Sequence, residues 1–265
     1  LALVSLWLRA SKHDPTRRAT AIRYAVGISM CQVLWIIGVL LVPAEFFFWF
    51  VPFAFMCEWA VPWYAEKAGG TPWHKDHIAE RYGLLTIIVL GESLLALSLA
   101  ISASGEIGSW NFEQHMLILS GLIIVFSMWW LYFSESEHQA LDRTESGFIW
   151  GYGHLVVFGA AAAVGAGLAV NVDVLSGHAH VEGFISEAAL TIPSALFLFG
   201  IWIVHDQFNH KKGVLRYLVP VTALLLLGAT YVPFAPAVTA LLLTGCLIIR
   251  LKHTSFIDDS QPTVS

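Results

Sequence analysis

An all-α chain crossing a membrane several times is the fold class this sequence predicts, and three observations predict it. Of its 265 residues, 57% are hydrophobic and 12% charged, about half the charged share of a soluble domain. That is too little charge to cover a water-facing surface. Apolar runs near twenty residues long recur along the chain, and about twenty helical residues cross a hydrocarbon core of about 30 Å. Basic residues keep to alternate loops, the pattern of multi-pass insertion. No window alternates as a strand would, so helices are left to satisfy the backbone in lipid. A net charge of −5 with scattered Lys and Arg argues against nucleic-acid binding. Cys31, Cys57 and Cys246 lie far apart in apolar runs, with neither disulfide nor zinc spacing.

Taken in order, residues 1–8 read as a partial helix. The sequence opens on Leu1 inside an apolar run, as an N-terminally truncated chain would. About eight complete spans are expected after it, at 21–41, 46–65, 78–103, 115–133, 148–170, 184–204, 215–232 and 237–249. The last is short and follows Pro233-Phe-Ala-Pro236, which suggests a tight re-entrant hairpin. Residues 1–252 are expected to form one transmembrane helical domain, and 253–265 a polar, disordered tail. The span at 148–170 carries Gly151, Gly153, Gly159, Gly165, Gly167 and the alanines at 160–163. A small-residue face lets helices approach closely, which predicts a central place for this span.

All 14 Lys and Arg fall on one set of loops. Arg9, Lys12, Arg17, Arg18 and Arg23 flank the first, Lys67, Lys75 and Arg81 the third, and Arg143 the fifth; Lys211, Lys212 and Arg216 flank the seventh, while Arg250 and Lys252 follow the last span. The alternate loops carry none. The basic loops and the C-terminus are therefore expected to be cytoplasmic, and 171–183 external. Trp49, Trp63, Tyr64, Trp110, Trp129, Trp130 and Trp202 mark interfaces.

Each charge at membrane depth costs at least about 2.5 kcal/mol and so needs a reason. His77, Glu80 and Arg81 stand at i, i+3 and i+4 at the inner entrance of one span. Glu80 with Arg81 reads either as a structural ion pair or as part of a site. Glu92 follows Arg81 by eleven residues, about 16 Å up nearly the same stripe. It must find a partner on another helix, bind a cation or stay protonated. Glu58, Tyr132 and His154 are candidates for the same polar interior, His154 either as a satisfied core histidine or as a titrating group. Glu187 lies nearer the outer face. His74, His77 and Glu80, and His178-Ala-His180 with Glu182, do not reproduce HExxH, so no metal site is assigned. No P-loop, nucleophile elbow or dinucleotide fingerprint is present, and no cofactor is expected.

His77-x-x-Glu80-Arg81-Tyr-Gly-Leu, followed by Ile-Ile-Val-Leu-Gly91-Glu92-Ser93, resembles the central signature of the bacterial low temperature requirement A (LtrA) family. Trp129-Trp130-Leu-Tyr132-Phe133, Gly151-Tyr-Gly-His154-Leu and the basic stretch from Arg9 to Arg18 are similar to its other motifs. The resemblance covers essentially the whole chain. It implies a polytopic bacterial inner-membrane protein linked to growth in the cold, with further spans ahead of those seen here. It implies no particular chemistry.

Two functions fit these residues. One is a transporter or proton/ion pathway along Glu92, Glu58, His154 and Arg81, with a small molecule or ion as substrate and membrane lipids as surroundings. The other is a membrane-embedded enzyme or lipid-handling protein, with His77 and Arg81 on a head group and Glu80 or His154 as base. Depth separates them, and Glu92, far from either interface, favours transport over catalysis.

Overall fold

In a computed structural model the described residues are 2–103, 111–134, 141, 144–208 and 215–258. Arg143, Lys211, Lys212, Trp110 and residues 259–265 lie outside them. No strand occurs among the described residues. Among the described residues nine α-helices follow in order: α1 (Ala2–His13), α2 (Arg18–Leu41), α3 (Ala44–Glu66), α4 (Lys75–Ala103), α5 (Phe112–Phe133), α6 (Thr144–Leu175), α7 (Gly183–Ile201), α8 (Leu215–Ala229) and α9 (Ala235–Asp258). Seven helical stretches of the described residues are long and apolar enough to span a membrane, while α8 is apolar but shorter. The chain is an all-α, multi-pass membrane protein. Two expectations need correction. The last segment is no short hairpin, since α9 has 24 residues and spans by itself. It also runs to Asp258, past the expected start of the tail at 253, because the helix continues through its flanking Arg250 and Lys252.

The chain divides into two compact units, Leu1–His74 and Lys75–Ser265, where the sequence suggests one domain. In the first, Asp14 ends α1 and caps the 3-10 turn Pro15–Arg17, accepting from the Thr16 and Arg17 N–H groups at 3.0 and 3.3 Å. Trp7 stacks on Tyr24 with centroids 4.2 Å apart. Tyr24 in turn donates to Glu66 at 2.9 Å, which also accepts from Thr71 and so ties down the turn after α3.

The second unit is built around α6. Ser93 on α4 donates to the Ala161 carbonyl at 3.0 Å, directly beside Gly165, where a Cβ would lie 2.7 Å from the Ser93 backbone. On α7's side a Cβ at Gly167 would lie 2.0 Å from the Ala189 carbonyl oxygen. Asn171 extends this seam, donating to the Gly167 and Ser186 carbonyls at 2.8 and 2.9 Å. The small residues of α6 thus do place it centrally, but not all of them. Gly159 meets nothing within 4 Å and is exposed, because it lies on the side of α6 turned away from its buried face. Hydroxyl pairs join further helices: Thr191 with Thr230 at 2.6 Å and Ser127 with Thr244 at 3.2 Å.

Candidate functional site

The second unit buries a polar cluster where α5, α6, α7 and α9 bring together their ends nearest the basic loops. It starts from a histidine whose tautomer the backbone dictates. His154 Nδ1 lies 2.8 Å from the Trp150 carbonyl, one turn back on α6. A carbonyl only accepts, so Nδ1 carries the proton and Nε2 of the neutral ring is an acceptor. Tyr132 Oη, 2.9 Å away on α5, therefore donates to Nε2. Both side chains are fully buried. Tyr82, Trp150 and Phe158 enclose the imidazole at centroid distances of 4.7, 4.2 and 5.4 Å. The Trp150 indole N–H is buried beside it with no hydrogen-bond partner among the described residues. Buried donors are nearly always paired, so this one is an exception within the cluster.

The other half of the cluster comes from a change of helical pitch. After α7 the residues Trp202–Asp206 form a π-helical turn, closed by the Gln207 N–H on the Trp202 carbonyl at 3.1 Å. The wider turn turns three successive side chains, Val204, His205 and Asp206, into protein. Such turns recur at functional sites. The His205 ring meets the Tyr132 ring edge-on at 5.4 Å. Asp206 Oδ1 accepts from Arg250 Nη2 of α9 at 2.7 Å, the two side chains being 2% and 1% exposed. Charges this dry persist when paired, and removing one partner is far more costly than replacing both.

The residues expected from sequence divide sharply. Tyr132 and His154 meet. His77 and Glu80 lie 3.7 Å apart, both well exposed at the start of α4. Glu80 turns to His77 rather than to Arg81, because consecutive helical residues diverge by about 100° while i and i+3 share a face. Arg81 and Glu92 are exposed on α4, outside the interior that holds His154, so Glu92 is not the buried carboxylate the sequence suggests. Glu58 belongs to the first unit, half-buried, with Gln32 Nε2 at 3.5 Å. Sequence reasoning missed His205, Asp206 and Arg250, treating them as loop or flank. The available signal was pairing: an acid and a base, each at the end of a long apolar run nearest the basic loops, are opposite charges at one depth.

At the opposite end of the unit a cavity of about 280 Å³ opens among α5, α6, α7 and the turn before α9, with Glu113, Ser120, Asn171 and Glu187 on its walls. Between the two ends, Thr191, Ser194, Thr239 and the Ser127–Thr244 pair are polar groups inside an otherwise apolar core. Among the described residues no three His, Cys, Asp or Glu side chains converge as a metal site would require.

No solved structure matches the chain. An uncharacterized protein of Rhizobium meliloti (strain 1021) is 26% identical over 272 aligned residues, covering 91% of this chain and 62% of that protein. The chain thus spans about 62% of the length of the curated relative it matches. The bacterial low temperature requirement A protein family matches residues 1–251, and that stretch includes Tyr132, His154, Asp206 and Arg250. With both its signature segments and its helical architecture accounted for, the chain belongs to the bacterial low temperature requirement A (LtrA) family.

Proposed function

We propose that this protein is a transporter or proton/ion pathway of the bacterial inner membrane, with its basic loops and C-terminus in the cytoplasm and its path through the second unit. The observation that carries the reading is the dry cluster of Tyr132, His154, His205, Asp206 and Arg250, with the unpaired Trp150 N–H beside it. Intramembrane ionisable groups are expensive and tend to mark ion and proton routes. A Tyr–His pair suits proton movement. If His154 Nε2 takes a proton it must donate, and the Tyr132 hydroxyl must turn to accept, so the pair has two states linked by one proton. Glu187 stands eighteen residues before His205, about 27 Å along α7, and the intervening hydroxyls supply polar steps between the ends. Glu92, exposed on α4, would act at a surface of this unit rather than along its axis.

Proteoliposomes holding the purified chain and an internal pH- or sodium-sensitive dye, under an imposed potential, test the reading. Wild type should pass one of the two ions faster than protein-free vesicles, and Tyr132→Phe should slow it. Rates equal to protein-free vesicles for both ions would overturn it.

A further inference from the structure

We propose that the cavity at the outer end of the second unit binds a small organic ammonium ion. Its volume, about 280 Å³, corresponds to roughly nine waters at about 30 Å³ each. That is too roomy for a bare metal ion and too small for a nucleotide or a peptide. The polar groups on its wall are acceptors. Asn171 spends both amide hydrogens on the Gly167 and Ser186 carbonyls, which leaves its oxygen free to accept. Glu187 lines the cavity with a buried Oε2 that has no hydrogen-bond partner among the described residues. Glu113 adds a second carboxylate at the rim, and Met116 and Phe234 provide apolar wall.

Charge makes the choice of ligand. Lys75, Arg81, Arg216, Arg250 and Lys252, the described Lys and Arg of the second unit, stand at the other ends of their helices, and none lines the cavity beside Glu113 and Glu187. His115, His178 and His180 are nearby in sequence but do not line the cavity. An anion would therefore be repelled, while an alkylammonium would place its N–H donors on the carboxylates and its chain on the apolar wall. Phe234 holds φ at +60° in forming that wall. A bulky residue takes this conformation at a cost and keeps it when its surroundings over-determine it. The site does not depend on transport, so absence of ion flux leaves it standing.

Calorimetric titration of the purified full chain in detergent with n-butylammonium tests the proposal, with butyrate as the counter-probe. Saturable binding of butylammonium and none of butyrate is expected. Glu187→Gln should raise Kd about tenfold, the loss of one charge-assisted hydrogen bond, while Glu45→Gln in the first unit should leave it unchanged. Ser120→Leu fills the cavity but keeps both carboxylates, and should abolish binding. Should Glu187→Gln not fold, the exposed Glu113→Gln carries the same test, with a smaller rise in Kd. No saturable binding, equal binding of butyrate, or unaltered Kd in the folded carboxylate variants would overturn the proposal.

Discussion

The helices of the two units are comparably apolar, yet the spans of the second unit, except α4 at 22%, are covered by protein far more than those of the first. Within the most apolar window of α3, 6% of residues are buried, and 17% in the span containing α2. The corresponding shares for α6 and for α7 with its π-turn are 50% and 61%. Hydropathy selects residues that tolerate lipid, and lipid tails are as apolar as leucine, so it does not select what packs. Packing in the second unit comes from Gly165, Gly167 and paired polar groups such as Asn171. In the first unit, Phe46, Phe48, Trp49 and Phe53 instead turn outward from α3. Turned outward, these aromatic side chains bury little against protein, whereas glycine in α6 lets neighbouring backbones touch.

This contrast can be broken most decisively at the buried ion pair. Asp206→Leu alone should destabilise the protein by about 3–5 kcal/mol, and Asp206→Leu with Arg250→Met should cost less than either single change. A double-mutant cycle of thermal unfolding in detergent checks it, and additive losses would show that the two charges do not depend on each other. Next comes the α6–α7 seam. Gly167→Val should cost about 3 kcal/mol or more through overpacking against the Ala189 carbonyl. Gly159→Val, with open space around it, should stay within about 0.5 kcal/mol. Monodisperse yield on size-exclusion chromatography separates the two. Tyr132→Phe, which strips His154 Nε2 of its donor, should cost about 1–3 kcal/mol, seen as a lowered midpoint in the same assay.

The first unit should respond more weakly. A Cβ at Gly38 would meet the tip of the Phe50 ring rather than backbone, and a ring can turn aside. Gly38→Ala should therefore change stability by less than about 1 kcal/mol, offset in part by alanine's helix preference. The smallest effect concerns Asp14, where the Thr16 hydroxyl, then Arg17, hold the carboxyl at about 2, below its ordinary 3.8. A depressed pKa stabilises the folded state above the unfolded value, so this contribution is complete above about pH 4 and fades as pH falls toward 2. The stability difference between wild type and Asp14→Asn should shrink over that window, and a difference constant from pH 7 to pH 2 would exclude the linkage.

Much of the fold was legible because spans are set by a one-dimensional rule. Eight apolar windows anticipated α2 to α9, and the chief errors lay at their ends. Pro233-Phe-Ala-Pro236 suggested a hairpin too tight for a full span, yet α9 starts just inside it, at Ala235. The site was legible in part. Tyr132 and His154 lie in recognisable motifs and do meet. Glu92 looked more telling than either, because an acid deep in an apolar run stands out in sequence. Its exposure could not be read there, since azimuth along α4 says which residues share a face and not which face its neighbours cover.

Sequence by itself determined the solvent, the helical class, the approximate spans and the family, because each depends on composition, run length or a contiguous motif. The tertiary structure decided which polar residues became partners. Asp206 and Arg250 are 44 positions apart, and Asp206 is turned inward by a π-helical turn that leaves no periodic mark. The cavity likewise collects Glu113, Asn171 and Glu187 from three helices. Helix periodicity fixes the face on which a side chain lies. The neighbour packed on that face, through glycine contacts and interhelical hydrogen bonds, decides whether the side chain ends in lipid, in a cavity or against an opposite charge.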